Sequence, residues 1–430
     1  MVHRTASSGS RTFHTHARSF DQSGQRAARS PRTCAVRWVL PLSSLLWIGC
    51  GDDDPAAPDP PGPPDLVAEE LAVLEVADLH VEVDRRGLLT EGRRIDRECY
   101  SIFLASLWIG ANVGGFPHAN LSWTGSDRWS NYSSMVGESP IGPYVVTPDH
   151  LANDEIEWPI AAGYPTNGNG EPVLYGDRMV WSALRTATDG QLSGAVGLPL
   201  EGIEIGMSLF GFADEELDNV LFLRYDIHNA STETWEDVYV ALYSDSDLTF
   251  GQGGVGGNRT MYLRDEGITV TYAGEWGMDQ PQWMSAFAFV STPTEGVPAH
   301  GVTSHRLMWK NAHDLYGETN VSGPTQVYWT LRGLTNLGEP MIDPSTQTET
   351  LFAVDGDPAT GTGWIDDPPR DVRGIISSGP FTIEPGGSET VVGVWLVAEG
   401  DGFADARAAV VRDVTRARSD AARLLVGRTE

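Results

Sequence analysis

Two stretches of the chain concentrate residue types suited to chemistry, and both are built on aspartate. The first is Ser244-Asp245-Ser246-Asp247, followed by the glycine-rich run Gly251–Gly257. Alternating carboxylates in a flexible loop are hard oxygen donors of the kind Ca²⁺ takes, and Ca²⁺ needs six to eight of them. Asp245 and Asp247 are therefore candidate metal ligands, with Ca²⁺ as the candidate cofactor. An EF-hand would place glutamate at the twelfth loop position; this loop has none there, so a solvated acidic turn accounts for the same residues. In the second stretch, Asp355-Gly356-Asp357 and Asp366-Asp367-Pro368-Pro369-Arg370-Asp371 bracket Trp364. An indole among carboxylates and an arginine is a pattern that takes a sugar ring, stacked on the aromatic face with polar groups meeting its hydroxyls. Trp364, Asp366, Asp367 and Arg370 are the candidate ligand-binding residues. A structural loop is the other reading: Gly361, Gly363 and the two prolines set turns, and Arg370 or Arg373 pairs with an aspartate.

Catalysis is harder to read. Glycoside hydrolysis needs two carboxylates about 5–10 Å apart across a cleft, and among 59 acidic residues a pair in sequence discriminates little. His300, His305 and His313 lie at spacings of five and eight. Zinc enzymes usually present two histidines one helical turn apart, so these point to surface or hydrogen-bonded histidines. No G-x-S-x-G elbow, P-loop, dinucleotide fingerprint or C-x-x-C occurs. The chain has three cysteines: Cys34 and Cys50 belong to the amino-terminal segment, which leaves Cys99 alone. That excludes a disulfide framework and a cysteine-rich zinc site, and a lone cysteine beside Tyr100, Ile102 and Leu104 reads as a small core hydrophobe.

The elements that must position these residues are mostly strands. Glycine (48) and proline (27) are spread throughout and shorten every regular element. Leu221, Leu223, Tyr225 and Ile227 alternate with Phe222, Arg224, Asp226 and His228. After a polar turn, Val238, Val240 and Leu242 alternate with Asp237, Tyr239 and Ala241, and the pair reads as a β-hairpin. Further strands are expected at Tyr100–Ile109, Arg178–Ser182, Ile268–Tyr272, Met284–Ser291 and Gln326–Arg332. Phe381–Ile383 and Thr390–Ala398 flank Glu384-Pro385-Gly386-Gly387, a second hairpin signal. Many short strands between turns predict an all-β fold: one large or two packed antiparallel β-sandwich domains over residues 66–402, with candidate divisions near 195–205 and 275–285. Phe403, Ala406, Val410, Val414, Ala417, Ala421 and Leu424 recur at steps of three or four, predicting a C-terminal amphipathic helix within 403–430. Of fourteen tryptophans, Trp108, Trp123, Trp129, Trp158 and Trp181 crowd the first half; most are expected in the core, with one or two at strand ends as ligand platforms.

The amino terminus carries an address. Seven arginines and a single acid, Asp21, precede Trp38, and the apolar run Trp38–Ile48 is about half the roughly 20 residues that cross a bilayer. A basic flank, a short apolar run and a small residue at the break form a signal peptide, here residues 1–49. The basic stretch is long for such a signal, which points to an initiation site downstream of Met1. Residues 50–65 then read as an acidic, proline-rich tether, extended and semi-rigid. Overall, 59 acids oppose 29 bases for a net charge of −30, which excludes nucleic acid as a partner because that needs clustered positive charge. The same charge opposes direct docking on anionic lipid and favours solubility.

Three resemblances rest on quoted residues. Leu46-Trp47-Ile48-Gly49-Cys50 resembles the lipobox of bacterial lipoproteins, although Trp47 stands where leucine is usual; it implies lipid attachment at Cys50 and a membrane partner through that anchor. Cys50-Gly51-Asp52-Asp53-Asp54 is similar to the acidic surface-export signal of some Bacteroidetes lipoproteins, and equally to the acidic start of a linker. Across residues 95–400, the strings LWIGANVGG, GDRMVW, LPLEGIEIG, NVLFLRYDIHNAS, VYVALYSDSDL, DGDPATGTGWIDDPPRDVRG and SSGPFTIEPGGSETVVGVW resemble a group of uncharacterised secreted β-sandwich proteins of Marinimicrobia, Ignavibacteria and related environmental bacteria. That resemblance implies an architecture and a location outside the cytoplasm, without a reaction. The group's Asp-Pro-Asp-x-Gly loop is replaced here by Asp245-Ser246-Asp247-Leu248-Thr249. The expectation is an envelope or surface lipoprotein that acts as a binding or assembly module, its partner a glycan or another envelope component. A polysaccharide hydrolase with a carboxylate pair within Asp355–Asp371 is the alternative.

Overall fold

The structure, a computed structural model, describes residues 64–429 apart from 96–98, 123–129, 137–138, 188–197, 214–215, 249–256, 274–281, 295–299, 311, 313–314, 318–320 and 322. Cys50, the signal, most of the tether, Trp123, Trp129, His313 and most of the glycine-rich run lie outside the described residues. Pro61–Glu430 forms one compact unit.

Two antiparallel sheets make the body. The first orders Leu71–Val76, Leu79–Asp84, Leu89–Arg94, Cys99–Val113, Trp235–Asp245, Val372–Ile383 and Ser304–Trp309, with Phe116–Asn120 also beside Cys99–Val113. The second orders Asn258–Leu263, Ile268–Ala273, Gln282–Ser291, Ser388–Gly400, Val220–Asn229, Ile203–Gly211, Arg178–Thr186 and Tyr132–Ser133, with Tyr144–Val146 also on Arg178–Thr186. Leu74, Ile109, Val240 and Ile376 from the first sheet meet Leu209, Leu223, Ile227 and Trp395 from the second in one core.

Both outer faces are covered too. On the second sheet, Phe222, Val394, Leu396 and Ala288 pack under the C-terminal helix Phe403–Ser419, through Phe403, Ala406, Val410, Val414 and Ala417. On the first, Trp108, Ala241, Tyr243 and Ile375 pack under the helix Pro324–Leu331, through Val327 and Leu331. The all-β sandwich and the C-terminal helix are therefore as the sequence indicates, although that helix ends at Ser419 and a separate turn, Ala421–Leu424, follows. Two-sided burial also explains the nearly unbroken apolar run from 391 to 398 within Ser388–Gly400, as in strands covered on both faces.

Three local expectations are corrected. Gln326–Arg332 is not a strand: Pro324 takes the first helical turn, where its missing N–H costs nothing, and tertiary packing of Val327 and Leu331 overrides the β-favouring Val, Tyr, Trp and Thr. Neither predicted hairpin forms. Val220–Asn229 and Trp235–Asp245 lie in opposite sheets, and so do Val372–Ile383 and Ser388–Gly400. The apolar residues of each pair face one another across the core, so the short connections cross between sheets that pack about 10 Å apart. The two crossings are tied by Asn229, which is fully buried. Its N–H donates to Gly387 O (3.0 Å) and its C=O accepts from Gly386 N–H (2.8 Å). Its Nδ2 donates to Glu233 O (2.9 Å) and Ile383 O (3.0 Å).

A second buried polar residue is His305. Its Nδ1 lies 2.8 Å from the Ala353 carbonyl and must donate to it, so Nε2 accepts from the Thr269 hydroxyl at 2.9 Å. Its ring stacks on Tyr262 at 4.7 Å. Burial, only partly opposed by the Ala353 carbonyl, pushes its pKa down to about 4.

Two outcomes are expected. Asn229→Ala leaves the buried Ile383 carbonyl without its side-chain donor and should cost about 1–3 kcal/mol in urea unfolding. Below about pH 6.5 the unfolded chain protonates His305, whereas the folded state resists down to about pH 4. Stability due to this residue is therefore present at neutral pH and falls by roughly 3 kcal/mol on acidification. The loss between pH 7 and pH 4.5 should be smaller in His305→Phe than in the parent; an equal loss would show that His305 is not the titrating group.

Candidate functional site

The two predicted aspartate clusters converge on one end of the sandwich. Asp245 is the last residue of Trp235–Asp245 and pairs in register with Arg373 on the neighbouring strand. Trp309 pairs with Val372 one strand further on, which brings Lys310 beside Asp371. Asn258, the first residue of a strand in the second sheet, joins the clusters: its Nδ2 donates to Ser246 O (3.2 Å) and its carbonyl accepts from Arg370 N–H (3.1 Å).

Around the first cluster, Asp245, Asp247 and Asp371 each present one carboxylate oxygen such that all three lie within 4.8 Å of one another. Arg373 Nη2 reaches Asp245 Oδ2 at 2.8 Å and its Nη1 donates to Asp371, while Lys310 Nζ lies 2.8 Å from Asp371 Oδ2. Asp247 Oδ1 has the Asn258 amide at 3.5 Å. Asp245 and Arg373 are 3% and 4% exposed, so this pair is internal. Burial, only partly offset by Arg373, pushes Asp245 up to about 7, and burial together with Asp371 pushes Asp247 up to about 6. Three carboxylates fall within the donor set of a Ca²⁺ site, but Arg373 and Lys310 already neutralise two of them. As it stands the arrangement is a charge-compensated network joining three strand ends.

The second cluster is divided by the surface. Asp366 is 3% exposed; its Oδ2 accepts from Thr260 N–H at 3.0 Å and its Oδ1 lies 4.0 Å from Arg370 Nε. Burial pushes its pKa up to about 6 against the pull of Thr260, Arg370 and Arg259. Asp367 points outward and pairs with Arg259 at 2.7 Å. Arg370 lies over the ring of Trp309, 4.0 Å from its centroid. Trp364, by contrast, is 8% exposed and packs among Leu307, Met341, Ala353, Val354 and Val372. The fold thus gathers Asp366, Asp367 and Arg370 and turns Trp364 into a small core, where it is no platform for a sugar. The aromatic residue that meets Arg370 is Trp309. Sequence reasoning missed Trp309, Lys310, Asn258 and Arg259; the available signal was Lys310, the only lysine in the chain, next to a tryptophan.

Asp355 and Asp357 serve a different structure. Asp343-Pro344-Ser345-Thr346-Gln347-Thr348 and Asp357-Pro358-Ala359-Thr360-Gly361-Thr362 share the pattern Asp-Pro-x-Thr-x-Thr, and they fold alike. Asp343 and Asp357 each accept a backbone N–H two residues on, at 2.7 and 3.0 Å, and a threonine hydroxyl three residues on, at 3.0 and 3.1 Å. The fifth position is left-handed in both, at φ 59° for Gln347 and 68° for Gly361. The first turn, with Glu349, Phe352, Arg264 and Asp355, lines a cavity of about 530 Å³. In it Arg264 pairs with Asp355 at 2.9 Å and lies over Phe352.

Asp366 gives this end a measurable signature. A carboxyl raised in the folded state loses stability as pH climbs from the unfolded value, near 4, to the folded one, near 6. Asp366→Asn keeps an acceptor for Thr260 N–H and removes the ionisation. We expect the variant to match the parent at pH 3.5 and to exceed it by up to roughly 3 kcal/mol at pH 8 in denaturant titrations.

No protein-family model and no curated protein matches the chain. Among solved structures, one similar chain is a putative aldose 1-epimerase from Klebsiella pneumoniae, at 8% identity, with 81% of each chain covered and a TM-score of 0.28. A likeness at that level carries no functional statement.

Proposed function

We propose that this protein is an exported, lipid-anchored component of the cell envelope whose folded body is a binding or assembly module, held outside the cytoplasm by Cys50. The observation that carries the reading is the junction around that cysteine. A basic stretch and an apolar run too short to span a bilayer end in Ile48-Gly49-Cys50, and a tether without large apolar residues follows directly. A compact unit takes over at Pro61, with Leu66 packed against its core. No helix among the described residues is long and apolar enough to cross a membrane.

A binding role fits the carboxyls better than hydrolysis does. A glycosidase sets one protonated and one ionised carboxyl across an open cleft. Among the described residues the acids raised toward neutrality, Asp245, Asp247 and Asp366, lie at the convergent strand ends, where Arg373, Asn258 and Thr260 meet them.

The mass of the mature amino terminus tests the anchor. Expression in a bacterial host should yield a protein beginning at an acylated Cys50 and sedimenting with membranes, and Cys50→Ala should move it to the soluble fraction. An intact segment upstream of residue 50, or an unmodified thiol there, would overturn the reading.

A further inference from the structure

Away from the acidic end, a cavity of about 420 Å³ opens beside the start of the folded body, lined by Leu151, Asn153, Asp154, Trp158, Glu171 and Thr429 among others. Its volume is that of a small-ligand site, and its walls are held from behind. Trp158 is half-buried and tilts against Tyr164 at 4.8 Å; Tyr164 meets Trp181 edge-on at 5.1 Å, and Trp181 is fully buried in the second sheet. The Tyr164 hydroxyl donates to Val173 O at 3.1 Å, locking the ring that supports the indole.

The polar wall is fixed as well. Asn167 Nδ2 holds a Glu171 carboxylate oxygen at 2.6 Å, while its Oδ1 accepts the N–H groups of Asn169 and Glu171. Asn153 Nδ2 donates to Pro64 O at 3.1 Å and its Oδ1 accepts from Glu155 N–H at 3.0 Å. The first described residues of the chain thus run along the groove's edge.

The chemistry of this lining differs from that of the convergent aspartates. Asp245, Asp366, Asp367 and Asp371 each have an arginine or lysine within 4.0 Å. The groove presents Asp154 and Glu171, an amide, a hydroxyl and an indole, and none of its lining residues is basic. An anionic ligand would meet carboxylates with no compensating cation. A pyranose ring stacks its C–H face on an indole and offers hydroxyls, or an ammonium, to carboxylate acceptors.

We propose that the groove of Trp158, Asp154 and Glu171 is a carbohydrate subsite for glycans without acidic groups, neutral or amino-bearing. It rests on the reading of the body as a binding module and gives that reading a location and a ligand class.

The test uses the folded chain from Cys50 onward, with the cysteine replaced by serine, in calorimetric titrations against neutral hexose oligomers, glucosamine oligomers and uronic-acid oligomers. Neutral or glucosamine oligomers should bind and uronic-acid oligomers should not. Trp158→Ala should weaken binding about tenfold or more, the scale of one aromatic stack together with its buried area. Glu171→Gln, a surface change that keeps a partner for Asn167, should weaken it several-fold and most for glucosamine. Binding that is unchanged in both variants overturns the groove and leaves a binding module with another site. Preference for uronic acids, or no binding to any of the three, overturns the subsite. The mass at Cys50 reports separately on the anchored-module reading.

Discussion

Both sheets of this protein carry apolar patches on both faces, and the rest of the structure depends on covering them. The inner faces cover one another at the spacing of packed sheets, about 10 Å. The outer faces need lids, and the chain supplies one helix to each: Phe403–Ser419 to the second sheet and Pro324–Leu331 to the first. The helices are therefore parts of the core and no appendage of it. The longer lid is also pinned by a polar contact. Asp413, 2% exposed on its buried face, accepts from Asn219 Nδ2 at 2.8 Å and pairs with Arg412 at 2.7 Å. Such a contact fixes the helix's rotation and position more tightly than apolar packing alone, because only one placement satisfies the buried groups.

Covering two sheets with one chain also decides what happens at their ends. At one end, the connections after Asn229 and after Ile383 cross from sheet to sheet and share the hydrogen bonds of a single asparagine. The strands Trp235–Asp245 and Val372–Ile383 run from that closed end to the opposite one, where Asp245, Asp371 and Arg373 sit. Eleven residues of strand span about 35 Å, so the crossings and the aspartate network are separate features joined by rigid strands. Acids far apart in sequence meet there because neighbouring strands of one sheet end together, and Asn258 brings in the second sheet.

The sequence made some of this legible and hid the rest, for identifiable reasons. The β class and the C-terminal helix could be read because their periods differ: two along Leu221–Ile227, three to four along Phe403–Ala417. The helix Pro324–Leu331 could not, since Val327, Tyr328, Trp329 and Thr330 favour strands and the burial of Val327 and Leu331 against Tyr243 and Ile375 decides otherwise. A sheet-to-sheet crossing and a hairpin share one local signature, a turn between alternating runs. What distinguishes them is which strands lie alongside, a non-local fact absent from either run. Trp364 misled for a related reason: its polar neighbours in sequence, Asp366, Asp367 and Arg370, turn to Thr260, Arg259 and Trp309, while the indole joins a core that Leu307, Met341 and Val372 bring from elsewhere.

Charge completes the account. With 59 acids and 29 bases, basic side chains are scarce, and where they sit separates structural carboxylates from free ones. Arg373, Arg370, Arg259 and Lys310 gather at the convergent strand ends, where burial would otherwise leave Asp245, Asp366 and Asp371 uncompensated. A buried carboxylate stripped of its cation costs far more than a surface pair contributes, so these bases are bound to the fold. Asp154 and Glu171 lie where solvent performs that service, and the groove beside Trp158 can stay base-free at little cost. In a protein this acidic, a lone row of carboxylates is ordinary surface. It becomes a recognition surface only where an aromatic ring is held rigidly beside it, and the chain of tilted and edge-on contacts from Trp181 through Tyr164 to Trp158 provides that ring.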